Sequence, residues 1–146
     1  MFFWSFEMTK LRIINAAETR RLLTMGLCID AMNDAMIAVS NQRVSMPPRI
    51  VAPLVDNSGF LADMPGSTRV PPVFGTKVVS LLPGNPAKGR PAIQGFVALF
   101  DHETGAPLAL VEGAEVTSIR TAAASGLATR LLARDDCQTH GIFGTG

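Results

Sequence analysis

The hydrophobic pattern changes its period twice along the chain. Near the start, Asn15-Ala16-Ala17-Glu18 has the form of a helix N-terminus. The Asn side chain can accept from free N–H groups there, and Glu18 can reach back to the cap. Leu22, Leu23 and Met25 follow, and Gly26 supplies the left-handed residue expected to end a short helix. Ile29, Met32, Met36 and Val39 then recur at spacings of three and four. That predicts a second amphipathic helix, packed along this stripe and fading at Asn41. From Ser45 the period shortens and prolines punctuate it, which predicts strands over 50–55, 59–64, 73–82, 93–101 and 107–112. Turn signals at 57–59 and 103–105 join apolar runs through short connections, so the strands run antiparallel. Residues 84–90 form a longer polar loop. Ile119, Ala122, Ala123, Gly126, Leu127 and Leu131 return to a helical period, with Thr117 as the expected N-cap and an end near Arg134. A short strand over 139–143 then runs into Gly144-Thr145-Gly146. The fold class is α+β: N-terminal helices, a mixed and largely antiparallel sheet, a long connecting helix and one further strand.

Composition narrows the functional classes. The chain has 146 residues, 47% hydrophobic and 17% charged, and its 13 basic and 12 acidic side chains leave a net charge of 13 − 12 = +1. Such a chain is too apolar for a disordered tail. It also lacks the concentrated positive charge that drives non-specific nucleic-acid binding. Apolar runs such as 95–100 and 108–111 fall short of the roughly 18–20 residues of a membrane helix. The apolar start, 1–6, has no basic lead and is broken by Glu7 and Lys10, unlike a signal peptide. A cytoplasmic protein with neither nucleic-acid nor membrane partners is expected. Cys28 and Cys137 lie far apart with no neighbouring ligand, so two free thiols are expected. His102 and His140 lack partners at metal-ligand spacing, and no metal site is expected.

Three basic residues stand apart from the general surface charge. Arg49 follows Met46-Pro47-Pro48 and opens a strand, while Lys77 lies inside the apolar run 73–79. Alternation puts Lys77 on one face with Val73, Gly75 and Val79, an odd setting for an ammonium group. Arg120 would sit at N3 of a helix capped by Thr117, where a cation opposes the macrodipole at a cost of about 0.3–1 kcal/mol. An anion held there by the guanidinium and free N–H groups would remove that conflict. A pocket for a carboxylate or phosphate is the reading that unites the three. A strand leading into Gly-Thr-Gly is also how a dinucleotide-binding unit opens, its glycines allowing close approach to a pyrophosphate.

Several stretches together carry a family likeness. They are Met46-Pro47-Pro48-Arg49, Asp63-Met64-Pro65, Gly75-Thr76-Lys77-Val78, the run from Gly89 through Ala109, Glu112-Gly113, the run from Thr117 through Ser125, and the closing Gly144-Thr145-Gly146. With them the sequence resembles the ornithine cyclodeaminase/mu-crystallin family of NAD(P)-dependent enzymes, over essentially the whole chain after Thr9. The resemblance implies a substrate-binding and dimerising domain over 1–115. A connecting helix and the first strand of an incomplete Rossmann domain would occupy 116–146. It implies that Arg49, Met64, Lys77 and Arg120 line the pocket of a small amino or imino acid. Arg49 and Arg120 would hold the carboxylate, Lys77 would be catalytic in assisting proton transfer, and Met64 would form the wall. Arg120, Thr121, Gly144 and Gly146 would contact NAD or NADP. Ala92 stands where ornithine-cyclising members tend to carry threonine, which favours reduction of a cyclic imino acid such as Δ1-pyrroline-2-carboxylate over cyclodeamination. The remaining alternative is a non-catalytic, mu-crystallin-like ligand-binding or dimerisation module. A homodimer is expected of the full-length form, and the chain by itself is expected to be an inactive N-terminal part.

Overall fold

The computed structural model describes residues 11–144. Strand β1 (Arg12–Ile14) enters helix α1 (Ala16–Leu22), followed by α2 (Met25–Ser40) and the strands β2 (Val44–Ser45), β3 (Ile50–Pro53), β4 (Phe60–Arg69), β5 (Pro72–Leu81), β6 (Ile93–Phe100) and β7 (Pro107–Glu112); helix α3 (Gly113–Leu132) closes the order. Strands β4 to β7 form an antiparallel meander, and β2 and β3 both pair antiparallel with β4. Strand β1 adds parallel to β7 at the far edge. The architecture is the α+β arrangement expected from the pattern.

Local chemistry explains most boundaries. Asn15 forms a reciprocal capping box with Glu18, each side chain meeting the other's backbone N–H at 3.0 Å. In the β6–β7 hairpin, Asp101 Oδ1 accepts from the N–H groups of Glu103 and Thr104, and Gly105 takes the positive φ of 72° that closes the turn. Pro65 lies inside β4 rather than ending it, so that strand runs longer than 59–64. It falls between the stretches of β4 that pair with β3 and with β2, where the strand has a partner only on the β5 side. Such a position tolerates proline.

Four expectations are corrected. Gly26 lies within α2 instead of ending α1, because the Thr24 hydroxyl accepts from Leu27 N–H and starts the new helix one residue earlier. The α2 stripe is packed only in part: Ile29 and Met32 are half-covered, whereas Met36 and Val39 are exposed. Thr117 is not the cap of α3. Glu112 is, its carboxylate oxygens accepting from Ala114 and Glu115 N–H at 2.9 and 2.7 Å. Arg120 is therefore the eighth residue of α3, beyond the first turn, and the predicted dipole conflict vanishes. Finally, residues 139–144 form no strand. A strand exists through its ladder, and no other described segment pairs with this one. Thr145 and Gly146 lie outside the described residues, as does the apolar start 1–6.

Helix α3 packs across β5, β6 and β7 on one face of the sheet, and α2 packs on α3. Close approach depends on Gly113, and at Gly126 only the flexible tip of a side chain lies near. A Cβ on Gly113 would meet Phe96 N at 2.7 Å, and one on Gly126 would meet Ile29 Cδ1 at 3.1 Å. Ion pairs Arg20–Glu115 (2.8 Å) and Arg130–Asp30 (2.9 Å) tie α3 to α1 and α2. The buried apolar residues among those described are mostly small: Ala62, Ala98, Ala109 and Ala123, with Cys28 and Leu127. Cys28 and Cys137 are both free thiols, as expected. The opposite sheet face carries Ile13, Ile50, Leu61, Phe74 and Phe96, all exposed. Among the described residues, no single helix is long and apolar enough to cross a membrane.

Candidate functional site

The sheet register aligns the candidate residues in one row. Met64 of β4 lies opposite Lys77 of β5, Lys77 opposite Val97 of β6, and Val97 opposite Val111 of β7. Directly opposed residues share a face. Arg49 immediately precedes Ile50, the first paired residue of β3, which is opposite Asp63; one further step in the same register would set Arg49 across from Met64. Alternation thus sends Arg49, Met64 and Lys77 to one face of the sheet. Helix α3 covers the same face, because Lys77 Nζ meets Thr117 Oγ1 at 3.4 Å. Arg120, three residues on, lies along the same side of the helix.

The electrostatics of this row are unusual. The Lys77 amine is held below the ordinary lysine value by burial first, then by the positive charges of Arg120 and Arg49. All three cations therefore act on one region. Among the described residues, none of them has a carboxylate within salt-bridge distance. Three acidic groups of the neighbouring elements are otherwise engaged. Glu112 caps α3, Glu115 is held by Arg20, and Asp63 accepts from Thr76 on the other face of the sheet. Arg49 and Arg120 are exposed, while Lys77 and Met64 are half-buried. Beyond this row the same face opens into a cleft of about 270 Å³ whose lining includes Val51, Pro53, Phe60 and Leu81.

The remaining candidates lie toward the C-terminal side. Thr121 is exposed, its hydroxyl donating to Thr117 O at 2.6 Å. Gly144 has a φ of 84°, and space is open where a Cβ would stand. An exposed guanidinium without a carboxylate and an open, positive-φ glycine are groups that an anionic dinucleotide can use. Gly146 lies outside the described residues. Sequence reading missed Thr117 as a contact of Lys77. The available signal was its place three residues before Arg120, which puts both on one helix face.

This is a sheet-and-helix domain in which three cations act on one region with no carboxylate among the described residues within salt-bridge distance. The profile of the ornithine cyclodeaminase/mu-crystallin family matches residues 9–146, and the chain belongs to that family. It is 39% identical over 134 residues to a Δ1-pyrroline-2-carboxylate reductase of Bacillus cereus, an alignment covering 92% of this chain and 41% of that protein. The structure of Thermococcus litoralis Δ1-pyrroline-2-carboxylate reductase with NADH and L-proline superimposes with a TM-score of 0.81 at 36% identity, over 86% of this chain and 39% of that one. An archaeal alanine dehydrogenase dimer with bound NAD gives a TM-score of 0.79 at 32% identity, over 86% and 38%. The chain spans about two fifths of the length of these relatives.

Proposed function

We propose that this chain is the substrate-binding and dimer-forming part of an NAD(P)-dependent oxidoreductase acting on a small amino or cyclic imino acid. Reduction of Δ1-pyrroline-2-carboxylate is the favoured reaction. The observation that carries this reading is the set of three cations, Arg49, Lys77 and Arg120, acting on one region with no carboxylate among the described residues within salt-bridge distance. A bound carboxylate supplies the missing charge. Arg49 and Arg120 grip it, and a planar guanidinium contact fixes the orientation of the carbon next to it. Met64 forms the wall between Arg49 and Lys77, and the apolar face beyond receives the carbon skeleton. Lys77, with its charged form disfavoured, exchanges a proton at the substrate nitrogen. The nicotinamide group, when bound, supplies or receives the hydride; Arg120, Thr121, Gly144 and Gly146 are the residues placed to contact it. Domain assignment follows the same reading, with 1–115 holding substrate and 116–146 leading to the cofactor. The uncovered apolar face of Ile13, Phe74 and Phe96 suits a second copy of the chain.

Two measurements test this reading. Calorimetry on the 146-residue chain should show L-proline or pyrrole-2-carboxylate binding, lost in Arg49→Ala and Arg120→Ala. NADH consumption with Δ1-pyrroline-2-carboxylate, in a chain completed with a relative's dinucleotide domain, should vanish in Lys77→Met. Absence of carboxylate binding overturns the reading. Binding without turnover would instead favour a non-catalytic, mu-crystallin-like binding protein.

A further inference from the structure

Thr117 sits on α3 between the Glu112 cap and Arg120, and its hydroxyl has two neighbours. The Oγ1 proton goes to the Gly113 carbonyl at 2.7 Å, since a carbonyl can only accept. A hydroxyl has a single proton. Toward Lys77 Nζ, 3.4 Å away, Thr117 can therefore offer only a lone pair. Nothing else among the described residues is hydrogen-bonded to the Lys77 amine. Its neighbours across the sheet are Met64 and Val97, both without a charged or titratable group. Arg49 and Arg120 repel it, Glu112 is committed to two backbone amides, Glu115 to Arg20, and Asp63 lies on the opposite face.

We propose that Thr117 is a positioning residue for Lys77, an acceptor that cannot donate and so fixes which way the amine turns. One Lys77 N–H points at the helix. The other valences, including the lone pair when the amine is neutral, face the space between Arg49 and Arg120. This rests on the reading that Lys77 exchanges a proton with a substrate nitrogen. For that task a lone pair turned toward the substrate is useful, whereas one occupied by a hydroxyl proton is not. A threonine whose proton were free could donate to the neutral amine and mask it. The i−4 carbonyl bond to Gly113 prevents this, and Gly113 lies so close to β6 that an added Cβ would stand 2.7 Å from Phe96 N.

The test reads Lys77 directly in the 146-residue chain. With 13C-labelled lysine side chains, only Lys10, Lys77 and Lys88 give signals, and Lys77→Met assigns one of them. Thr117→Val keeps the shape and removes the acceptor that favours the charged amine. The Lys77 midpoint should fall, corresponding to about a threefold to tenfold larger neutral fraction at a given pH. Lys88 should titrate unchanged. Thr117→Ser should restore the wild-type midpoint, and Thr117→Ala should behave as Thr117→Val. A Lys77 midpoint unmoved by Thr117→Val and Thr117→Ala, or one not restored by Thr117→Ser, overturns the proposal. The readout requires neither substrate nor turnover. Loss of the functional reading through absent L-proline binding would leave it intact.

Discussion

Replacing Lys77 with methionine should stabilise the fold, the opposite of what removing a half-buried, hydrogen-bonded residue ordinarily does. Methionine has a similar length and is apolar, and Lys77 lies beside Met64 and Val97. The substitution removes one partner from two like-charge repulsions, those with Arg120 and Arg49, together with the burial of an ammonium group. Near a protein surface a like-charge pair beyond direct contact repels by an amount on the order of 1 kcal/mol. Solvent around a half-buried lysine and two exposed guanidinium groups screens much of that, and the weak Thr117 contact is lost. The net gain is about 1 kcal/mol, or about 3 °C in Tm for a chain of this size. The pH dependence follows from the direction of the shift. Lys77 titrates lower in the folded state than in the unfolded one, so the wild type is penalised while both states carry the proton. That penalty is released as pH rises from the lowered folded value toward the ordinary lysine value of about 10.4. The variant's advantage should therefore be full below the lowered folded value and gone above that upper limit. Calorimetric unfolding at low and high salt checks it. A Tm unchanged or lowered at mildly acidic pH and low salt, or a gain that salt does not reduce, would refute the charge conflict.

Other consequences concern the framework. Gly113→Ala should destabilise by about 1–3 kcal/mol, because its Cβ meets the backbone of Phe96 and Gly95 at 2.7 and 2.8 Å, where neither can yield. Gly126→Ala should be neutral or slightly stabilising in the same denaturant titrations, since only the flexible tip of Ile29 is in the way and alanine favours the helix. The Asp101 carboxyl is held below the usual range, chiefly by the Thr104 hydroxyl and then by backbone N–H groups. Its contribution is present above the unfolded value of about 3.9 and is lost as pH falls through the lower folded value. The Tm gap between wild type and Asp101→Ala should accordingly narrow on acidification. Phe74→Asp combined with Phe96→Asp, both on the uncovered sheet face, should convert a dimer to a monomer in sedimentation. A wild type already monomeric at high concentration would remove that part of the proposal.

Local chemistry was legible and long-range pairing was not. Asn15-Ala16-Ala17-Glu18 carries its capping box within four residues, and Asp101 through Gly105 carries its turn within five, so both were readable. The odd placement of Lys77 followed from alternation alone. The α3 start was misplaced because Glu112 ends β7 and caps α3 at once. With no linker between the elements, the next hydroxyl looked like the cap. Strand β1 was missed because its three residues gain their structure by pairing with β7, nearly a hundred positions away. The stripe on α2 overstated burial for a related reason: spacing shows which residues share a face, and only Ile29 and Met32 of that face reach cover. The segment 139–144 shows the reverse, apolar letters of a strand with no described neighbour to pair with.

The convergence of Arg49, Lys77 and Arg120 on a carboxylate is tested most directly by following the Lys77 13C signal while L-proline is added, with L-prolinamide as the control. A carboxylate seated among the three cations should shift that signal saturably and move the Lys77 midpoint upward, toward the ordinary lysine value. Prolinamide, of similar shape without the negative charge, should do neither. A Lys77 signal indifferent to L-proline, or one answering both compounds alike, would contradict the account.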